Sequence, residues 1–314
     1  MGWRWCFILL LVVVLPVAAW VTPSGGAAGP RIALGVNLDG VPGSPAALAQ
    51  YVREVGRRPA AIMWYQDWSG PLATYDQLRF VNSVGACPIV TWLPELGSAG
   101  IPLSAIARGD YDGYLRRSAE LARDWGRPLY IRFAHEMNLP KSRWGVDVNG
   151  NTAADYVAAW RHVVTAFRQD GATNVRWVWS PEVEQEGLKF APFYPGNRWV
   201  DWVALDGYNW GTAEHHQKWE GLAAVFLSSY RELARLSSRP VMIGEVASTE
   251  VGGSKADWIR TGLLDVVPRL MPRVRAVVWF DRDKEADWRI DSSLGALSAF
   301  RSVVHTLRYQ AVLP

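Results

Sequence analysis

Cysteine is nearly absent from this chain: among 314 residues only Cys6 and Cys87 carry a thiol. Cys6 falls in an apolar N-terminal segment, so the remainder holds one thiol and no internal disulfide can staple it. Cys87 sits in an apolar run, where a free cysteine is expected as a buried strand residue rather than a nucleophile. An excess of one charge is missing too. The formal balance is +3, with Lys, Arg, Asp and Glu mixed along the chain and no basic block, which argues against a nucleic-acid footprint. After residue 30 there is no low-complexity tract, no internal repeat and no apolar run long enough to span a bilayer.

The long apolar run that does exist lies at the N-terminus. Arg4, the apolar stretch 7–21 broken only by Pro16, and the small residues Val17, Ala18 and Ala19 form the pattern of a secretory signal peptide. An uncleaved membrane anchor is the alternative, and in either case the rest of the chain is expected outside the cell. Residues 1–19 are therefore set apart from the fold. Residues 20–30, which include TPSGGAAGP at 22–30, read as a flexible lead-in. The remaining span, 31–314, has the length of one large α/β domain. Tryptophan is the abundant residue, at 18. Such rings fill cores, and their faces also pack on the C–H faces of sugar rings.

Short apolar runs rich in β-branched and aromatic residues occur at 32–36, 61–64, 88–92, 129–133, 175–179, 202–205, 241–244 and 276–280. Amphipathic helical stretches alternate with them. After the first strand, Ser44 can cap, Pro45 suits the first helical position, and Leu48, Tyr51, Val52 and Val55 follow at helical spacing before Gly56. Thr152 with Asp155, and Ser254 with Asp257, have the spacing of a capping box. The stretches 219–236 and 294–307 are similarly amphipathic. Eight strands alternating with helices at this length predict a single (β/α)₈ TIM barrel.

Chemistry in such a barrel sits at the C-terminal ends of the strands. Two glutamates fall there: Glu136 in RFAHEMN (132–138), after the fourth strand, and Glu245 in IGEVAS (243–248), after the seventh. Strands four and seven occupy opposing parts of the ring, so the two side chains can face each other across the mouth. An isolated glutamate would read as a salt-bridged carboxylate at the rim. A pair flanking one bond is what glycoside cleavage uses, and a charge at the end of a buried strand is expensive unless paired or functional.

RFAHEMN followed by Trp144, WVWSP at 177–181, YPGNRWVDWVALDGYNWG at 194–211, IGEVAS, and VVWFDRDKEADWRIDSS at 277–293 together resemble glycoside hydrolase family 26. That family comprises endo-β-1,4-mannanases with some β-1,3-1,4-glucanases and xylanases. The resemblance implies a retaining catalytic domain with Glu136 as acid/base and Glu245 as nucleophile. It also implies that His135 contacts sugar hydroxyls or positions the carboxylates, and that Tyr208 hydrogen-bonds the nucleophile. Trp279 would form the platform under the sugar at the cleaved bond, with Trp144 also in the cleft. Trp64, Trp92 and Trp210 are equally open to cleft or core. The family commonly follows HEMN with Gly and aromatics, whereas Leu139, Pro140, Lys141, Ser142 and Arg143 stand here, which leaves substrate identity open.

HEMN is not a zinc motif, because H-E-x-x-H needs a second histidine where Leu139 stands. His215 and His216 are adjacent in a polar loop and read as surface residues. No metal or cofactor is required by the implied mechanism. Asp39, Asp67 and Glu95 near strand ends are either substrate contacts or rim salt bridges. The expected function is hydrolysis of a β-linked polysaccharide, first of all β-1,4-mannan. The alternatives are a β-1,3-1,4-glucanase or xylanase of the same family, or a catalytically silent carbohydrate-binding wall protein. The expected partner is the polysaccharide alone, with no nucleic acid. The chain is expected as a monomer, touching a membrane only if residues 1–19 remain attached.

Overall fold

A computed structural model describes residues 1–2, 30–183, 189–214 and 217–314. All but the first two residues of the expected signal segment, nearly all of the lead-in, Cys6, His215 and His216 lie outside the described residues. Among the described residues no helix is long and apolar enough to cross a membrane.

Eight parallel strands close into a barrel in sequential order. They are β1 (Ala33–Leu38), β2 (Ala61–Asp67), β3 (Cys87–Leu93), β4 (Leu129–Phe133), β5 (Val175–Trp179), β6 (Trp202–Asn209), β7 (Val241–Ser248) and β8 (Val274–Asp281). Each coincides with one of the eight apolar runs of the sequence. Helices follow the strands and cover them, as continuous apolar strands require in a parallel sheet. Ser44 accepts from the Ala47 amide, Pro45 opens the helix Pro45–Val55, and Gly56 ends it in the left-handed region. Thr152 and Asp155 bond reciprocally at the head of Ala153–Gln169. Ser254 caps Lys255–Ile259 through the Asp257 amide, and the chain continues there as a π-segment over Arg260–Val266.

Side chains alternate across each strand, and the core divides accordingly. The inner set includes Ala33, Ala61, Met63, Ile89, Tyr130, Val178, Ala204, Met242, Ala276 and Val278, with Leu313 from the C-terminal tail packed against them. The outer set joins the helices in a larger cluster. Two residues further along the inner face, the filling turns polar: Thr91, Arg132, Ser180 and Asp206 are all fully buried. This polar layer lies directly beneath the mouth.

The alternation overturns one expectation. Trp279 does not face the cleft. It belongs to the outer set, is fully buried, donates from its indole N–H to the Trp288 carbonyl at 3.0 Å, and packs edge-on against Trp258 and Phe300. Its neighbour Phe280 takes the inward position and meets the Tyr208 ring at 5.6 Å. Trp279 does stand at a strand end, but a shift of one residue exchanges the two faces. Trp64 and Trp92 likewise belong to the helix-facing core, Trp92 among Trp68, Phe133 and Phe167. Cys87 begins β3 half-buried, not fully buried as expected, and burial pushes its thiol up to about 12, which leaves it unreactive. Trp279→Ala should lower stability by about 3–5 kcal/mol, the cost of emptying a large aromatic site. Trp279→Phe should cost less, and in neither folded variant should KM change. A KM raised several-fold in Trp279→Phe, with the melting curve unmoved, would return Trp279 to the cleft.

Candidate active site

The site is built around a buried guanidinium. Arg132 lies on β4 with no exposure, where a charge survives only if paired and hydrogen-bonded. Its Nη1 donates to Glu245 Oε1 at 2.9 Å and to Thr91 Oγ1 at 3.0 Å. Its Nη2 donates to Ser180 Oγ at 3.1 Å and forms an ion pair with Asp206. Ser180 in turn donates to Asp206 at 3.0 Å. Side chains from β3, β5, β6 and β7 thus meet at one cation on β4, whose pairing keeps it charged.

Glu245 points inward because β7 carries a bulge. Leu205 and Asp206, adjacent on β6, pair with Ile243 and Glu245, which are two residues apart. The shift recurs against β8, where Val277 and Trp279 pair with Ile243 and Val246. Bulges of this kind re-aim a side chain. Here Met242 and Glu245 both face the interior, although strict alternation would have sent Glu245 to the helices. Tyr65 donates to Glu245 Oε1 at 2.6 Å, and Tyr208 donates to Oε2. Burial pushes this carboxyl up, but Arg132 and the two phenol donors outweigh it and hold it below the usual carboxylate range.

Glu136 arrives from the loop after β4. Ala134 and Glu136 both adopt left-handed backbone, φ 44° and 52°, a conformation that costs a residue with a side chain about 1–3 kcal/mol. The loop is held there by Ala134 N to Trp92 O at 3.0 Å, Glu136 N to Ser180 O at 2.7 Å and Ser142 Oγ to Glu136 O at 2.9 Å. Glu136 is half-buried, and one of its carboxyl oxygens lies within 4.8 Å of a Glu245 carboxyl oxygen. Burial, and then the negative charge of Glu245, push the Glu136 carboxyl up to about 7. The two glutamates are shifted in opposite directions by their surroundings.

His135 stands 4.0 Å from Glu245, its ring 5.8 Å from Tyr65 and 5.5 Å from Trp144. Burial, and then Arg132, lower it to about 3, so it is a neutral imidazole at neutral pH. Trp144 donates to the His135 carbonyl at 2.6 Å. It is nearly buried, supporting His135 instead of presenting an open face. Trp210 keeps part of its surface exposed beside Tyr208 and Trp288. Asp39 pairs with Arg282 at 3.2 Å, Glu95 with Arg143 at 2.7 Å, and Asp67 accepts from the Ser69 amide at 3.1 Å, so each makes a local rim contact. Tyr65, Asp206 and Glu182 are site residues that sequence reasoning missed. Tyr65 and Asp206 were signalled by their inward registers on β2 and β6. Glu182 lies just past β5, and no sequence pattern marked it.

His135, Glu136 and Glu245 offer ligand atoms within 4.8 Å of one another. They suit a cation poorly. Glu245 already accepts from three donors, and the Arg132 guanidinium at 2.9 Å would repel a second positive charge.

A closed (β/α)₈ barrel whose mouth joins two such carboxyl groups is the architecture of the barrel glycoside hydrolases. Glycosyl hydrolase family 26 matches residues 113–258, a stretch containing both glutamates. The chain is 34% identical over 270 residues, 83% of its length, to endoglucanase H of Acetivibrio thermocellus, and covers 29% of that protein. It is 25% identical over 181 residues, 56% of its length, to mannan endo-1,4-beta-mannosidase A and B of Caldalkalibacillus mannanilyticus, covering 31% of it. The chain therefore spans about a third of the length of these relatives. The endo-beta-1,4-mannanase of Cellulomonas fimi superposes with a TM-score of 0.69 at 17% identity, over 88% of this chain and 71% of that one. The chain belongs to glycosyl hydrolase family 26.

The opposed carboxyls set a pH profile. If Glu136 must carry a proton and Glu245 must not, kcat/KM on a natural polymer should fall above about pH 7 as Glu136 ionises. It should fall again only below the ordinary glutamate range as Glu245 protonates. On an activated aryl glycoside the alkaline fall should weaken, since that leaving group needs no proton. An alkaline limb of equal depth on both substrates would remove Glu136 as the acid.

Proposed function

We propose that the chain is a retaining endo-β-glycanase. Glu245 attacks the anomeric carbon while Glu136 protonates the departing oxygen, and Glu136 then takes a proton from the water that releases the sugar. The observation that carries this reading is the carboxyl pair. One oxygen of each carboxyl lies within 4.8 Å of the other, an approach that suits direct attack, for which carboxyls about 5–5.5 Å apart are usual, better than inversion, which sets them about 6.5–9.5 Å apart. The opposite pKa directions match the two roles, a carboxylate held ionised and a carboxylic acid held protonated near neutrality. Tyr65, Tyr208 and Arg132 keep charge on the nucleophile, and neutral His135 is free to meet a sugar hydroxyl.

Two substrates are carried forward. The resemblance of the sequence motifs points to β-1,4-mannan. The endoglucanase relative, matched at higher identity over more of the chain, favours a β-glucan, as does the loop at 139–143 that departs from the mannanase pattern. We take mixed-linkage glucan and mannan as the first two polymers to assay, with xylan third. Export of the chain is part of the same proposal, since the polymer lies outside the cell.

Glu245→Ala should abolish turnover on every substrate. Glu136→Ala should lose most on polymers, be relatively spared in the first step on an activated aryl β-glycoside, and accumulate a covalent intermediate. Azide should restore turnover in Glu136→Ala and give the β-glycosyl azide. An α-azide would reject retention with Glu136 as acid/base. A wild-type protein that binds these polymers without cleaving any of them would mark a silent binding protein.

A further inference from the structure

We propose that Glu182 is a positioning residue for Glu136, a neutral carboxylic acid that donates its proton as a hydrogen bond to the Glu136 carboxylate. The proposal rests on the reading of Glu136 as acid/base. Glu182 follows β5 and is 6% exposed, and its carboxyl group is hydrogen-bonded to that of Glu136. Two carboxylates cannot share such a bond when both are ionised, so at least one proton lies between them.

The backbone fixes which residue holds it. The Glu182 amide donates to Asn138 Oδ1 at 2.9 Å, and Asn138 Nδ2 returns a bond to the Glu182 carbonyl at 3.0 Å. Asn138 lies two residues beyond Glu136, so this reciprocal clasp ties the β5 and β4 loops together where the carboxyls meet. On the other side the Glu182 backbone bridges to that of Asp206, where the Val183 amide donates to the Asp206 carbonyl at 2.8 Å. Glu182 is thereby held inside the ring while Glu136 stays half-open to solvent.

The charges facing the pair are Glu245 from β7, Arg132 from β4, Asp206 from β6 and Lys141 from the Glu136 loop. His135, neutral, and the Tyr65 and Tyr208 hydroxyls complete the surroundings. Arg132 is already engaged by Glu245 and Asp206. Burial, and then the charges of Glu136 and Asp206, push Glu182 well above the ordinary carboxyl range, and its hydrogen bond in turn lowers Glu136. Glu182 thus supports the ionised Glu136 that the second half of a double displacement needs, and orients it for the water.

Glu182→Met removes the donor at similar length, and Glu182→Gln keeps a donor that cannot ionise. Glu182→Met should raise the alkaline limb of kcat/KM by about one pH unit, roughly what one hydrogen bond to a charged group is worth. It should also slow release of the covalent intermediate. Glu182→Gln should leave the limb in place. A limb unmoved in both folded variants overturns the proposal. If Glu182→Met does not fold, carboxyl ¹³C NMR of the wild type decides: Glu182 protonated through neutral pH supports the donor, and Glu182 ionised there refutes it. Glu136→Ala run alongside separates the two readings, because polymer turnover at the wild-type rate in that variant would defeat the site assignment itself.

Discussion

One cation governs the mouth of this barrel. Arg132 carries one positive charge, and its two terminal nitrogens reach Asp206 and Glu245; burial pushes Asp206 well above the usual carboxylate range, while Glu245 is held below it. Every further carboxyl brought into the ring meets an environment with no unpaired positive charge at its centre. Glu136 and Glu182 are such groups, and burial disfavours the ionised form of both. The opposite shifts of Glu245 and Glu136 thus follow from where the single cation sits. The glutamate touching the guanidinium is the one that stays ionised, and the glutamate left out holds its proton to about pH 7.

The fold was legible because its signals are local and repeated. Eight apolar runs, the Ser44–Pro45–Gly56 punctuation and the Thr152–Asp155 box each act within one element, and each is realised in place. That Glu136, Glu245, His135 and Tyr208 meet at the mouth was legible from strand ends and from the family resemblance. Trp279 was misassigned because the face a residue presents depends on register, and the inward set of β8 is Ala276 and Val278 with Phe280 following, which leaves Trp279 on the helix side. Tyr65 and Glu182 were missed because they reach the site from elsewhere in the ring. Tyr65 bonds Glu245 across 180 positions of chain. No run of residues around Glu182 carries that information, and the inward register of Tyr65 on β2 does not by itself name Glu245 as its partner.

The loop after β4 joins strain to specificity. Two left-handed residues turn Glu136 into the mouth, and the segment beyond them, 139–143, departs from the mannanase pattern. That segment is braced, since Ser142 holds the Glu136 carbonyl and Arg143 reaches Glu95 at 2.7 Å and the Gly97 carbonyl at 3.0 Å. Ser142, which holds the Glu136 carbonyl, belongs to the same segment. Exchange of this loop would therefore disturb the turn that presents Glu136, and loop and turn would have to vary together.

Gly244 sits at the bulge of β7, and a methyl group there would lie 2.6 Å from Asp206 Oδ1 and 3.1 Å from Ser180 Oγ. The extra residue that turns Glu245 inward is admissible only because it has no side chain. Length and composition are thus coupled over residues 242–245: deleting one residue would restore strict alternation and send the carboxylate into the helical layer, while filling the bulge would press on the Asp206 carboxyl beside Arg132. Variation among descendants of this chain should accumulate in the long connections around the mouth and be almost forbidden, in either count or identity, across these four positions.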